Sequence, residues 1–515
     1  MSGSRAIRFL PILLIVAGCC ALMLQQIDLT NTDLGRHLKN GEIVVQGTRS
    51  QAASILHTNV YSVAAGDYPF LNHHWLTGVI FFLVWKISSF EGLNLFYALV
   101  VSASVVVSYL AAQRMANTMV ALSLAALIIT VIGLRHFIRP EGFTYLLTAV
   151  FYWVLLAWSE GWIGNRGLLW LPGLMLLWIN LHIGFVFGFL LLIAFAVRLW
   201  ARSRDPRRWG WLTAVSAACA VAALGNPSGI HGLLYPLHIL GNYGYDISEN
   251  LSLKGISDRH MWIWVYDLFL ALVGLAAAVC LWRWLTQKPG SKPFWPQVLL
   301  LAILGGMALG MTRNQPLFCL LMVPLVAELV TDRLGAKWGM SGTPCWLALA
   351  GCAIGALCIG TLFEERSAAA GLTLKPGVND AAEFLQSNRI AGPVFDDFDI
   401  GSYLIFHRFH PGGGDQVFID GRPEAYPPGF IQDLYIRALS DEDVWHQIDG
   451  RYQFEAIVIS MQDGFPPIEK FILSRVRDPE WAPVFTDFYS LIFVRRNEKN
   501  AAVIQRHLIP RSMFR

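Results

Sequence analysis

Long apolar runs separated by short polar ones fill the first part of the chain. A membrane-crossing helix needs about 20 mainly apolar residues. Eleven runs approach that length: 7–25, 92–112, 116–134, 142–158, 167–181, 184–200, 209–224, 262–283, 296–312, 315–331 and 344–363. They predict a polytopic α-helical membrane protein with about 11 transmembrane helices. One further apolar stretch, 75–90, opens at Trp75-Leu76-Thr77, is short, contains Lys86 and stops before Glu91. It reads as an amphipathic helix at the water–lipid boundary. Beyond 363 the pattern changes. Helix-like stretches (379–387, 429–447, 468–477) alternate with strand-like ones (394–398, 416–420, 456–460, 490–495), as in a soluble α/β domain. The expected division is a membrane domain, 1–363, containing a long polar loop at 26–91, and an α/β domain, 364–515.

Composition agrees and adds a direction. The chain is 55% hydrophobic and 15% charged, against about 45–50% and about 25% in soluble globular proteins. That excludes a soluble enzyme, a disordered chain and a small disulfide scaffold. Residues 1–363 hold 23 Lys and Arg against 14 Asp and Glu, whereas 364–515 hold 16 against 22. The overall +3 therefore says nothing about nucleic acid, and no nucleotide-binding motif is present. All eight cysteines lie in apolar segments without metal-ligand spacing, as small buried hydrophobes do.

Short cytoplasmic loops are enriched in Lys and Arg. The cluster Arg198, Arg202, Arg204, Arg207 and Arg208 marks one such loop. Eleven crossings then place Arg114, Arg166, Arg283, Arg333 and Lys337 on the same side, provided that 75–90 does not cross. The N-terminus falls inside and the α/β domain outside. Nine histidines, among them His37, His73, His74, His136 and His182, fall on the outer side, with acids such as Asp33, Glu141, Asp246 and Glu249. Titratable groups gathered on one face mark where chemistry is to be sought.

In the first outer loop, Asp33 and His37 sit four apart, on one face of a helix. Thr32 or Asn31 can cap that helix. The bland alternative for Asp33 is an acid stabilising the helix start. Asn72-His73-His74-Trp75 opens the boundary helix. In the next outer loop, Arg135-His136-Phe137-Ile138-Arg139-Pro140-Glu141, the acid opens a helix at the membrane rim, where charge is costly. Asn180-Leu181-His182-Ile183-Gly184, a 37-residue loop at 225–261 and Thr312-Arg313-Asn314 complete this face. Single Arg or His residues there can serve as headgroup anchors. Five such turns on one face suit a lined cavity better.

This arrangement resembles the GT-C superfamily of membrane glycosyltransferases, which includes protein O-mannosyltransferases, lipid A aminoarabinose transferases and the oligosaccharyltransferase catalytic subunit. The matching features are one helix, then a long outer loop with an acid-led helix (Asp33 to Gly47) and a juxtamembrane helix (His74-Trp75-Leu76 to Gly92), then a second acid, Glu141, opening a later helix. The match is best over residues 7–200. There are departures. Leu34 stands where a doubled acid is common, Glu141 where Asp is common, and Asn180 and His182 where a lysine is frequent.

The resemblance implies transfer of a sugar from a polyprenyl-phosphate-linked donor to a lipid, glycan or protein acceptor at the outer membrane face. Asp33 would be the base, with Glu141 the second catalytic acid. Arg139, Arg313 and His182 would hold the donor phosphate, and His37, His73, His74 and Asn180 would line the substrate site. A divalent metal held by Glu141 or His182 is a further expectation; a nucleotide cofactor is not expected. The carboxylates of the two outer loops would have to meet at one lipid-accessible hollow. In the α/β domain the most distinctive run is Phe418-Ile419-Asp420-Gly421-Arg422-Pro423-Glu424-Ala425-Tyr426, whose simplest reading is a structural Asp–Arg pair in a turn. The rival functions are a catalytically inactive scaffold with this fold and a transporter or flippase of lipid-linked sugars.

Overall fold

The structure is a computed structural model that describes residues 3–239, 248–334 and 343–514; Asp246 and Lys337 lie outside them. The chain forms two compact units. The first comprises Met1–Gln25, Leu93–Leu234 and Asp246–Leu372, the second Gln26–Gly92, Tyr235–Tyr245 and Thr373–Arg515.

The first unit is helical. Each of the eleven apolar runs is helical over most of its length. Six spans among the described residues are long and apolar enough to cross a membrane: Trp75–Met115, Glu141–Ser159, Ile183–Arg202, Trp264–Leu285, Thr312–Thr331 and Trp346–Ala369. Phe9–Met23, Thr118–Gly133 and Trp295–Gly310 are shorter apolar helices. Local chemistry sets several starts. Asn117 accepts from the Met119 amide at 2.8 Å, and Asp205 accepts from Arg207 just ahead of Pro206, two N-terminal caps. Thr312–Thr331 is buried nearly throughout, while Trp346, Leu347 and Leu357 stand exposed on the last span. Such apolar exposure suits lipid contact.

Loops that charge counting assigned to one side meet one another. Arg114 lies over Trp162, Arg202 donates to the Pro293 carbonyl at 3.1 Å, and Arg208 donates to the Trp158 carbonyl at 2.9 Å. At the other end of the helices, Asn180 donates to Gly225 O at 3.0 Å, Thr312 to Glu249 O at 3.1 Å and Arg366 to Gly133 O at 2.9 Å. The helix Trp75–Met115 breaks at Ser88 and Ser89, where Ser89 takes φ +56°, a strained value for an L residue. The boundary between units follows at Gly92. The stretch read as a boundary helix is thus separated from the span that begins at 92.

The second unit centres on a four-stranded sheet: β1 (Val394–Asp396), β2 (Ala456–Ser460), β3 (Trp481–Thr486) and β4 (Ser490–Arg495), in the order β1-β2-β4-β3. β1 and β2 are parallel and the other pairs antiparallel. Helices Asp380–Ser387, Gly401–Arg408, Glu442–Tyr452 and Pro466–Arg477 accompany the sheet around an aromatic core that includes Phe395, Phe418, Trp445, Phe454 and Phe471. Residues 26–92 are built onto this part. Ser62 donates to the Phe418 carbonyl at 2.9 Å, Val63 to Val417 O at 2.8 Å, and Lys375 pairs with Asp28 at 3.1 Å.

Two expectations here are corrected. The stretch 416–420 is not a full strand. The Asp396 carboxylate, rather than a neighbouring backbone, takes the amides of Phe418 (2.7 Å) and Ile419 (3.3 Å). The stretch 429–447 is not one helix. Asp441 accepts the amides of Asp443 and Val444 and so starts a new helix at Glu442. β3 and the helix Gly401–Arg408 went unforeseen.

Candidate functional site

Asp33 and Glu141 belong to different units, and each has its own set of partners.

Asp33 occupies the N-cap position of the helix Leu34–Gln46, but its side chain caps nothing. Thr32, the alternative cap, spends its hydroxyl on the Asp28 carbonyl. The Asp33 carboxylate turns to Arg36, one turn along, at 3.1 Å, and accepts from the Ser402 hydroxyl at 3.3 Å. Its side chain is 31% exposed while that of Arg36 is 4% exposed. A buried guanidinium thus holds a carboxylate that still reaches solvent. The acid stands at the helix start, where its charge favours the helix dipole, but its side chain makes no capping hydrogen bond.

The three histidines predicted for this region come together. His37 meets His74 edge-to-face at 5.5 Å, His73 and His74 lie 3.7 Å apart, and Tyr235 stands 5.2 Å from His73. Arg36, Ser402 and the Asp420–Arg422 pair were not foreseen as part of this site. Arg36 had a signal, its three-residue spacing from Asp33.

In the first unit, Glu141 opens its helix and is taken by Arg135, which donates through Nε at 2.8 Å and approaches through Nη2 at 2.7 Å. Arg135 also reaches Glu249 at 3.0 Å. Arg139 is the second partner of Glu249, and Arg313 donates to Asn250 at 2.9 Å. Among the described residues, Arg135, Arg139 and Arg313 thus gather with Glu141 and Glu249 at a helix end that is only partly shielded. Burial by itself would raise the Glu249 carboxyl, but Arg139 and then Arg135 hold it at about 2. Glu249 and Arg135 were missed: an acid inside a long loop shows no partner in sequence.

His182 lies near Arg313 but is fully engaged on one side. Its Nδ1 accepts from the Gly184 amide at 3.1 Å. Thr144 Oγ1, which accepts from the Trp178 indole at 2.9 Å, sits 2.7 Å from the same nitrogen. Two donors on Nδ1 assign the ring proton to Nε2. Burial, and then Arg313, push the His182 pKa down to about 3, so the ring is a neutral donor, not a base. Asn180 braces the turn by donating to Leu176 O and Gly225 O.

These partners do not fit a metal. Arg135 occupies Glu141, and metal at His182 Nε2 would force a proton onto Nδ1 against two donors. Among the described residues no group of three or more His, Cys, Asp or Glu side chains is placed to hold a metal ion.

No family model matches the chain, and no curated protein matches it. Solved structures do. The oligosaccharyltransferase of Archaeoglobus fulgidus in its apo form superposes with a TM-score of 0.60 at 10% identity, over 95% of this chain and 75% of that one. ArnT from Cupriavidus metallidurans in the apo state gives 0.57 at 12% identity, over 98% and 99%. The chain shares the fold of these two proteins. The archaeal oligosaccharyltransferase AglB from Archaeoglobus fulgidus, in complex with an inhibitory peptide and a dolichol-phosphate, gives 0.58 at 10% identity over 93% and 73%.

Proposed function

We propose that this chain is an integral-membrane glycosyltransferase. It moves a sugar from a polyprenyl-phosphate-linked donor to a lipid, glycan or protein acceptor on the outer face of the cytoplasmic membrane. Lys and Arg enrichment puts the N-terminus inside and the acidic α/β part outside. Support comes from the GT-C fold and from AglB, which was solved with a dolichol-phosphate. The observation that carries the reading in this chain is the Asp33 carboxylate, diverted from helix capping, held by Arg36 and Ser402, and still exposed.

In this reading Asp33 takes the proton of the acceptor hydroxyl or amine as that atom bonds to the anomeric carbon of the sugar. The bond from the anomeric carbon to the phosphate oxygen breaks, and the polyprenyl phosphate leaves with the electron pair. A positioned base contributes about 10²–10⁴-fold. The leaving phosphate needs fixed positive charge in a water-poor site, the role this reading gives to Arg139 and Arg313. His182 adds a neutral Nε2–H donor. Glu141 acts through Arg135, holding that guanidinium in place.

The test is transfer by purified protein in vesicles containing a polyprenyl-phosphate sugar labelled in the sugar. The label is expected to leave the lipid for an acceptor, with free polyprenyl phosphate released and no use of nucleotide sugars. Label that changes leaflet while remaining on its lipid would overturn the proposal in favour of a transporter.

A further inference from the structure

The carboxylate of Asp33 is gripped from one side only. Arg36 Nη2 and Ser402 Oγ both engage Oδ1, and the turn Asp420-Gly421-Arg422 closes on the same oxygen. A Cβ on Gly421 would come within 2.8 Å of Asp33 Oδ1, closer than such atoms approach one another. The turn is itself fixed. Asp420, wholly buried, takes two hydrogen bonds of 2.6 Å from Arg422 and one of 3.1 Å from the Tyr426 hydroxyl. Arg422 also donates to Asn59 at 2.7 Å and lies over the rings of Tyr61 and Phe70. Asp420 Oδ1 stands 3.9 Å from Arg36 Nε, so one guanidinium lies between the turn and Asp33. The helix that presents Ser402 is docked on the same turn, backbone to backbone. A Cβ on Gly401 would fall 2.2 Å from Ile419 O and 2.8 Å from the Asp420 Cα.

Stability alone does not require this construction. Well-packed apolar residues often replace a buried ion pair without loss, and an exposed Asp–Arg pair is worth about 0–1 kcal/mol. What the construction does is fix one oxygen. Among the described residues, every hydrogen bond and ion pair of the Asp33 carboxylate falls on Oδ1, and Oδ2 remains for a proton.

We infer that the Asp420-Gly421-Arg422 turn of the C-terminal part is a positioning element for Asp33. It clamps Oδ1, directly at Gly421 and through Arg36 and Ser402, so that Oδ2 presents to the acceptor's proton. The inference rests on the reading of Asp33 as the base. It makes the α/β part a component of the catalytic machinery, beyond any role in holding acceptor.

The test measures kcat and KM for Ser402→Ala, Gly421→Ala and Asp420→Asn, each alone and combined with Asp33→Asn, with thermal midpoints as a check on folding. Ser402→Ala is expected to lower kcat about fivefold and Gly421→Ala about 10²-fold, the scale of a small misplacement of a reacting group. KM for donor and acceptor stays unchanged. On the Asp33→Asn background none of the three lowers kcat further, because groups that act through one carboxylate are not additive. A folded Ser402→Ala or Gly421→Ala variant with the full wild-type rate, or losses that multiply unchanged on the Asp33→Asn background, overturns the inference and leaves the base assignment standing. If Gly421→Ala and Asp420→Asn do not fold, the Ser402→Ala pair decides alone. If Asp33→Asn by itself retains the wild-type rate, the base reading falls and takes the inference with it.

Discussion

The helix Glu141–Ser159 carries a charge cluster at each end, and the two differ in kind. At 1.5 Å per residue its 19 residues separate them by about 28 Å. At the Ser159 end, Arg198 and Arg202 face Glu160 and Glu328. Arg198 binds Glu328 at 2.8 Å and Glu160 at 2.5 Å, Arg202 reaches Glu328 at 3.1 Å, and Gln297 donates to Glu328 at 2.7 Å. Glu328, which is 1% exposed, is shared by both guanidinium groups. At the Glu141 end, Arg135, Arg139 and Arg313 face Glu141 and Glu249, and Arg139 is 22% exposed. A charge cluster that is sealed ties helices together. One that is only partly shielded is open to a ligand. Both obey the rule that charge at membrane depth is paired, so pairing by itself does not mark function; access does.

Glu328→Ala should break the contrast most severely, because it removes the buried carboxylate that Arg198, Arg202 and Gln297 share. A loss of about 3–5 kcal/mol is expected, read as a lower thermal midpoint in detergent, while transfer per folded molecule stays the same. At the open end, Arg139→Ala and Arg313→Ala should each raise the KM for the lipid-linked donor about 10-fold or more, with little change in thermal midpoint. If either costs as much stability as Glu328→Ala and leaves KM alone, the distinction between the ends is lost. Glu249→Gln should act in the opposite direction. It removes an anion that competes with phosphate for Arg139, and the donor KM should fall by roughly fivefold or less.

The smallest effect is one of pH. The folded-state pKa of Glu249, about 2, lies below its ordinary 4.5, so its ion pairs stabilise above the ordinary value and weaken only as pH falls toward 2. The difference in thermal midpoint between wild type and Glu249→Gln should be flat above about pH 5 and shrink below it. A difference that varies across neutral pH would mean that Glu249 is not held by Arg139 and Arg135.

The helices were legible because each apolar run is long, and the grouping of loops was legible because Arg and Lys concentrate on alternate ones. The break before residue 92 was foreseen from Lys86 and Glu91, although the strained Ser89 that makes it was not. The site was legible in part. Asp33 stood out by position, and Arg36 was readable from helical spacing. The Asp420–Arg422 pair was foreseen as a pair, but its place against Asp33 depends on a fold that joins the first loop to the last domain. Glu249 had no local signal, since its partners lie on another loop. The strand expected at 416–420 failed because a single side chain, Asp396, does the work of a backbone neighbour. The metal expectation for Glu141 and His182 had taken each residue without its partners, Arg135 and the donor pair on Nδ1.

The most direct measurement is the rate of sugar transfer from a polyprenyl-phosphate donor by purified wild type and Asp33→Asn, with thermal midpoints taken in parallel. A fall of about 10²–10⁴-fold at an unchanged midpoint is predicted. A folded Asp33→Asn protein that transfers at the wild-type rate would contradict the assignment of this carboxylate as the base.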